Sequence, residues 1–160
     1  MDTTPVPVMT LCRFGQTSLF WGEASLGYCP SKQEYSVGFK LALLATLDRV
    51  ITHFDLAPAH PDDREAVEGV LDASGHRVAL GDKGFIGEEW QADWRERRGH
   101  LILTPKRRNQ KVQNPAVLDR LLKRARKLLE TVIDPLKEPL YLEKTRARTM
   151  LGLWVRGWLS

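Results

Sequence analysis

Long apolar runs are absent from this 160-residue chain, and cysteine is scarce. No run approaches the roughly 18 apolar residues that a helix needs to cross a bilayer, so we expect no membrane span. Cys12 and Cys29 lie far apart and belong to no CxxC or Cys/His cluster. This pattern argues against a zinc site and indicates reduced thiols in a cytoplasmic protein. The first residues also lack the basic and apolar regions of a signal peptide.

Several catalytic signatures are missing as well. The chain contains no GxGxxG segment, no P-loop and no GxSxG segment, so nucleotide hydrolysis and serine-hydrolase chemistry have little support. The composition, 42% hydrophobic and 28% charged residues, is that of a soluble globular protein. We therefore expect a single domain over residues 1–160, long enough to bury one sizeable core.

Positive charge is concentrated in the second half of the chain. Residues 1–80 carry 6 lysines and arginines against 10 acidic residues, whereas residues 81–160 carry 18 against 10. The basic residues form three clusters: RERRGH (95–100), KRRNQK (106–111) and RLLKRARK (120–127). This density favours a polyanionic partner, because each phosphate contact releases condensed counterions. A solvated helix face would account for any one cluster alone.

The first half of the chain predicts strands followed by a helix. Residues 1–34, rich in Pro, Gly, Ser and Thr, are expected to be an irregular lead-in with at most a short strand near Val6–Leu11. Two runs rich in Val, Ile, Phe and Leu, at 35–46 and 49–59, predict an antiparallel hairpin. A helix over 60–75 should follow, capped by Asp62 or Asp63 and ended by Gly75.

The second half predicts alternating strands and helices. We expect a strand at 77–82, a helical stretch near 87–98, a strand at 100–105, a long helix after Pro115 and a final helix near 140–158. Pro135 should kink or end the long helix. This order indicates an α/β fold in which helices flank a mixed sheet. Residues 35–105 would form the sheet and its helices, and residues 115–160 the C-terminal helices.

Asp82 is the first candidate functional residue, because it ends the predicted strand 77–82. Functional groups gather at the carboxyl ends of strands in open α/β sheets. The segment Gly81-Asp82-Lys83-Gly84 is equally typical of an ordinary turn. Both interpretations stay open on this segment alone.

The helix segment RKLLETVIDPLK (126–137) holds the second candidate. Arg126, Glu130 and Lys137 are spaced by four and seven residues, which places all three on one helix face. An ordinary surface salt bridge, worth only about 0.3–0.5 kcal/mol, would account for the first pair.

Other polar and aromatic residues have a structural and a functional interpretation. His60, Asp62 and Asp63 could assist a metal site, although helix capping accounts for the two aspartates. Trp90 and Trp94 are typical of core packing, and one of them could instead stack on an unpaired base.

Taken together, these segments resemble the catalytic core of DDE-type insertion-sequence transposases. GDKGF (81–85) is similar to the family's segment around its second aspartate, and R-x3-E-x6-K (126–137) is similar to its glutamate helix. Gly38-Phe39-Lys40 resembles a hairpin segment of the family, and LTPKRRNQK (103–111) resembles its basic loop. The resemblance covers nearly the whole chain.

The resemblance implies an RNase H-like fold that cuts and rejoins DNA with two divalent ions, Mg²⁺ or Mn²⁺. The catalytic and metal-binding residues would be Asp2, Asp82 and Glu130. The residues expected to contact DNA are Lys83, Lys106, Arg107, Arg108, Lys111, Lys123, Arg126 and Lys137. The implied partners are the terminal repeats of an insertion sequence, target DNA and a second copy of the chain in a homodimer. The implied location is the bacterial or archaeal cytoplasm, at the nucleoid.

Asp2 directly follows Met1, so we expect the first strand to be largely missing and the chain to be truncated at its N-terminus. Three functions therefore remain open. The chain could be an active transposase domain, or a truncated, non-catalytic remnant that binds DNA or a full-length transposase through its basic half. It could also be a structure-selective nuclease of the same fold.

Overall fold

The computed structural model describes residues 1–14, 16–17, 19–29, 33–60, 62–75, 77–137 and 148–153. The strands are β1 (Asp2–Thr10), β2 (Ser25–Cys29), β3 (Glu34–Ala45), β4 (Ile51–Pro58), β5 (Val78–Leu80) and β6 (Leu101–Leu103). The helices are α1 (Asp63–Ser74), α2 (Glu88–Arg98) and α3 (Ala116–Lys137), and a short 3₁₀ turn spans Lys83–Phe85. This mixed α/β architecture, with antiparallel and parallel strand pairs, confirms the predicted fold class and is consistent with an RNase H-like fold.

Strand β3 is the centre of the larger sheet. One edge pairs with β1 in an antiparallel register that runs from Asp2 opposite Leu43 to Thr10 opposite Ser36. The other edge is shared end to end by β2 and β4, both antiparallel to β3. The pairing of β3 with β4 confirms the predicted hairpin.

The expectation of an irregular lead-in over residues 1–34 is wrong. Nine residues form β1 and five form β2, so a first strand is present and runs onward from Asp2. The local sequence did not predict this strand, because it contains Pro5 and Pro7 and proline cannot donate a hydrogen bond to a neighbouring strand. Among the described residues β1 pairs along one edge only, with β3. The register shifts after Pro7, so the strand accommodates the prolines at a free edge and an irregularity.

The short strands β5 and β6 form a parallel pair with Val78 opposite Leu101. The amino group of Met1 donates a 2.7 Å hydrogen bond to the carbonyl oxygen of Leu80. This bond brings the start of β1 beside the end of β5, and it places the segments that carry Asp2 and Asp82 next to each other.

Two apolar clusters pack on the two faces of β3, because successive side chains of a strand point in opposite directions. Ala42 and Leu44 join the first cluster, with residues of α1 and α2. Leu41 and Leu43 join the second, with residues of α3. Helices α1 and α2 therefore cover one face of the sheet, and α3 covers the other.

The helix boundaries follow the predicted signals closely. Asp62 caps α1 by accepting a hydrogen bond from the Arg64 amide, and Gly75 ends the helix with a φ of 60°. Pro135 does not end α3, which is described through Lys137.

Most of the predicted final helix at 140–158 lies outside the described residues. Among the helices that are described, none is both long and apolar enough to cross a membrane.

Candidate functional site

Asp2 and Asp82 lie at neighbouring strand ends. Asp2 is opposite Leu43 in the sheet, so its side chain projects from the face that α3 covers. Asp82 follows β5 and begins the turn Lys83–Phe85, in which the Phe85 amide donates a 3.1 Å hydrogen bond to the Asp82 carbonyl oxygen. Phe85 is 1% exposed. The turn after Asp82 is therefore anchored in the core.

Helix α3 presents charged side chains beside these strand ends. Its apolar stripe, which docks on the sheet, consists of Leu122, Ala125, Leu129 and Ile133. Arg126 and Glu130 flank this stripe and form an ion pair, with Arg126 Nε 3.2 Å from Glu130 Oε1. Arg126 Nη1 also lies 3.2 Å from Asp82 Oδ2. The guanidinium therefore bridges Asp82 and Glu130, which are 48 positions apart in the sequence.

A cleft of about 340 Å³ separates the strand ends from α3. The sequence-predicted site residues that line it are Asp2, Asp82, Lys83, Lys106, Lys123 and Arg126. Glu130 is joined to this group through its ion pair with Arg126. The cleft thus brings together two of the predicted carboxylates and four of the predicted basic side chains.

Negative charge at the base of the cleft is poorly solvated. Burial raises the pKa of the Asp2 carboxyl, and the charges of Asp82 and Asp63 raise it further. The hydrogen bond from the Thr3 amide, 2.9 Å long, and the N-terminal ammonium act in the opposite direction. On the other side of the cleft, the hydrogen bond to Glu130 and the charge of Asp82 raise the pKa of Arg126.

The donor set has the chemistry of a site for a hard cation. Carboxylate oxygens are the side-chain ligands that Mg²⁺ and Mn²⁺ prefer, and the mutual repulsion of Asp2 and Asp82 is the kind of strain that a bound cation relieves. In the described part of the chain, no three His, Cys, Asp or Glu side chains stand close enough together to hold a metal ion. Arg126 instead supplies the counter-charge for Asp82 and Glu130.

Of the remaining predicted DNA contacts, three lie in an outer loop and the fourth, Lys137, lies at the end of α3. Arg107, Arg108 and Lys111 are exposed in the loop that follows β6. The loop is ordered by the Arg107 amide, which donates a 2.8 Å hydrogen bond to Gln110 Oε1. Lys137 forms an ion pair with Asp134, 2.6 Å between Nζ and Oδ1.

Asp119 lines the cleft and was not predicted. Its carboxylate accepts a 3.2 Å hydrogen bond from Asn114, whose amide also donates to the Thr104 carbonyl oxygen. Its spacing in the sequence could have predicted this position, because Asp119 precedes Arg126 by seven residues and so lies on the same face of α3.

The two tryptophans of α2 are packing residues. Trp94 is 2% exposed and belongs to the first core cluster, while Trp90 packs against that cluster and donates a 3.0 Å hydrogen bond to Glu68. The guanidinium of Arg98 lies 4.4 Å from the centre of the Trp94 ring. These contacts agree with the core interpretation of both residues.

Comparison with known protein families gives a match that covers most of the chain. A family model described as "Transposase DDE domain" matches residues 1–150. Neither the curated proteins nor the solved structures provide a significant match. Since the family model spans nearly the whole of the 160-residue chain, the chain belongs to the transposase DDE domain family.

Proposed function

We propose that this chain is a DNA transposase domain that cleaves phosphodiester bonds and transfers strands at the ends of an insertion sequence. The observation that carries the proposal is the bridge from Arg126 to both Asp82 and Glu130, beside a cleft that Asp2 also lines. Side chains from β1, from the end of β5 and from α3 therefore either line this cleft or pair with Arg126 at its wall. Acids from separate elements beside one cleft support the proposal, because metal-dependent phosphoryl transfer uses carboxylates as metal ligands.

The proposed metal ligands are Asp2, Asp82 and Glu130, and the proposed ions are two Mg²⁺ or Mn²⁺. When bound, such ions activate the attacking oxygen and stabilise the leaving oxygen of a phosphodiester. Three carboxylates suffice, because Mg²⁺ retains several waters and takes its other ligands from the substrate.

Arg126 has two roles in this proposal. In the structure it pairs with both Asp82 and Glu130, so these two carboxylates share one positive counter-charge before a cation enters. Its side chain is 58% exposed and can turn from Asp82 towards a DNA phosphate, to which arginine binds with two parallel hydrogen bonds. The positive charge would then remain at the site during the reaction.

The basic side chains would hold the DNA backbone. Lys83, Lys106 and Lys123 line the cleft, and we assign them to phosphates near the cleaved bond. Arg107, Arg108 and Lys111 project from the outer loop and would contact phosphates farther along the duplex. Such contacts position DNA without reading its sequence. Terminal repeats, target DNA, a homodimer and a location at the nucleoid belong to this same proposal.

A second candidate function is DNA binding without cleavage. It is favoured by the finding that the acids of the described residues form no group of three around a common point. In that case Arg126 would remain paired with Asp82 and Glu130, and the basic residues alone would act. The two candidates differ in whether the cleft binds a divalent cation.

The deciding experiment is a titration of Mn²⁺ into the chain, followed by electron paramagnetic resonance of the free ion. We expect binding to the wild type and a loss of affinity of about tenfold or more in Asp2→Asn, Asp82→Asn and Glu130→Gln, because each removes a charged ligand. Asp134→Asn is the matched control, since Asp134 lies on α3 and pairs with Lys137 instead. Absence of binding, or equal binding by all variants, would favour the non-catalytic candidate.

A further inference from the structure

Asp63 lies at the start of α1, but the capping of that helix is done by its neighbour. Asp62 accepts the hydrogen bond of the Arg64 amide at 3.0 Å and pairs with the Arg64 side chain at 2.7 Å. The carboxylate of Asp63 is directed to other elements of the fold.

The first of these elements is β1, at the residue that follows Asp2. The Thr3 hydroxyl donates a 2.9 Å hydrogen bond to Asp63 Oδ1. Thr3 is opposite Ala42 in the sheet, and the side chain of Ala42 belongs to the cluster on the α1 face. Asp63 therefore holds β1 from the face opposite to the one on which Asp2 projects.

The same oxygen is tied to the central strand. Lys40 Nζ lies 3.0 Å from Asp63 Oδ1, and Lys40 is opposite Pro5 in the register of β1 and β3. The Lys40 side chain is 21% exposed and that of Asp63 is 38% exposed. This ion pair is partly shielded from water, so it is screened less than one on an open surface.

The second carboxylate oxygen reaches the turn that carries Asp82. A methyl group placed on Gly84 would lie only 3.0 Å from Asp63 Oδ2, a distance that requires one of the two groups to shift. Gly84 is two residues after Asp82. Asp63 thus lies close beside the turn after β5, and it is hydrogen-bonded to the start of β1.

On the basis of the proposed function, we propose that Asp63 is a positioning residue for the metal site. Its carboxylate binds Thr3 and Lys40 and lies against Gly84, and so sets the spacing of the segments that carry Asp2 and Asp82. The side chain does not line the cleft. It acts on the ligands from the opposite face of the sheet, both through the segments that it holds and through its charge, which also acts on Asp2. Outer groups that orient metal ligands typically change metal affinity 10- to 100-fold when they are removed.

The test uses Mn²⁺ binding by the whole chain, measured by electron paramagnetic resonance. Asp63→Ala should weaken binding by about 10- to 100-fold. Asp63→Asn should weaken it less, because its amide oxygen can still accept from Thr3. Asp62→Ala is the matched control: it removes the neighbouring carboxylate and the helix cap, and it should leave Mn²⁺ affinity within about twofold of the wild type, since Asp62 contacts neither acid-bearing segment.

A second measurement needs no metal. The Phe85 amide donates to the Asp82 carbonyl oxygen across the turn, so its rate of hydrogen exchange reports on the order of that turn. The rate should rise in Asp63→Ala and stay unchanged in Asp62→Ala. This readout separates a local effect at the turn from a general loss of helix stability.

The outcomes distinguish the two proposals. A wild type that binds no Mn²⁺ would contradict the proposed function and the role of Asp63 together. The role of Asp63 alone would be overturned if the wild type binds Mn²⁺ and both Asp63→Ala and Asp63→Asn match it in Mn²⁺ affinity and in the exchange rate of the Phe85 amide. If Asp63→Ala fails to fold, the same comparison is made with Asp63→Asn.

Discussion

Asp2 shows how one buried carboxyl links fold stability to the site. Its pKa is raised above the ordinary value of about 3.9, so the folded state holds its proton more tightly than the unfolded chain does. The free energy of unfolding therefore falls as the pH rises from the ordinary value through the raised one, and above it the penalty is fully present. At neutral pH this residue destabilises the chain unless a cation compensates its charge.

Asp2→Asn should accordingly raise the melting temperature at pH 7 in a metal-free buffer. The amide oxygen can still accept the Thr3 hydrogen bond, while the repulsion from Asp82 and Asp63 disappears. The advantage over the wild type should shrink as the pH is lowered below about 4, where the wild-type carboxyl is also neutral. Melting curves of both proteins across this range test the argument, and a variant that is less stable at pH 7 would contradict it.

At the scale of elements, α3 forms one wall of the cleft and carries Glu130 on its exposed flank. Leu129 is 8% exposed and packs in the cluster with Leu43 and Ile133. Its position next to Glu130 means that the docking of the helix and the placement of the acid depend on the same turn.

Leu129→Ala should therefore lower the free energy of unfolding by about 2–5 kcal/mol, the usual cost of emptying a core leucine site. Val117→Ala is the control on the same helix, because Val117 is 70% exposed and its loss should cost less than about 0.5 kcal/mol. Urea unfolding of both variants measures the difference. Equal effects would mean that α3 is not docked through this stripe.

Elements with a strong local pattern were predictable from the sequence, and elements held by distant pairing were not. The apolar spacing of α3, and the residues Asp62 and Gly75 that begin and end α1, are features of short sequence segments and could be recognised without the tertiary structure. Strand β1 contains Pro5 and Pro7, and it is a strand only because β3 supplies its partner groups. The site divides in the same way: the spacing of Arg126 and Glu130 was visible, whereas the contact of Arg126 with Asp82 depends on tertiary packing.

The whole molecule carries its charges on different faces. Helix α3 and the cleft lie on one face of the sheet, and α2 packs with α1 on the other. Basic residues occur on both sides, since α2 ends with Arg95, Arg97 and Arg98. On α2 these charges are partly matched, because Arg97 pairs with Asp93 and Arg98 with Asp72. DNA binding should therefore depend on the cleft face.

The salt dependence of binding to duplex DNA tests this arrangement. Each phosphate contact adds about 0.9 to the slope of log K against log salt concentration. The double variant Arg107→Gln/Arg108→Gln should therefore reduce the slope by about 1.8, while the matched Arg95→Gln/Arg97→Gln on α2 should leave it unchanged. Fluorescence anisotropy of a labelled duplex between 50 and 200 mM salt, roughly the range over which such contacts dominate, gives both slopes. If the α2 variant lost as much as the loop variant, DNA would bind through charge spread over both faces, and the assignment of the backbone contacts to the cleft would be wrong.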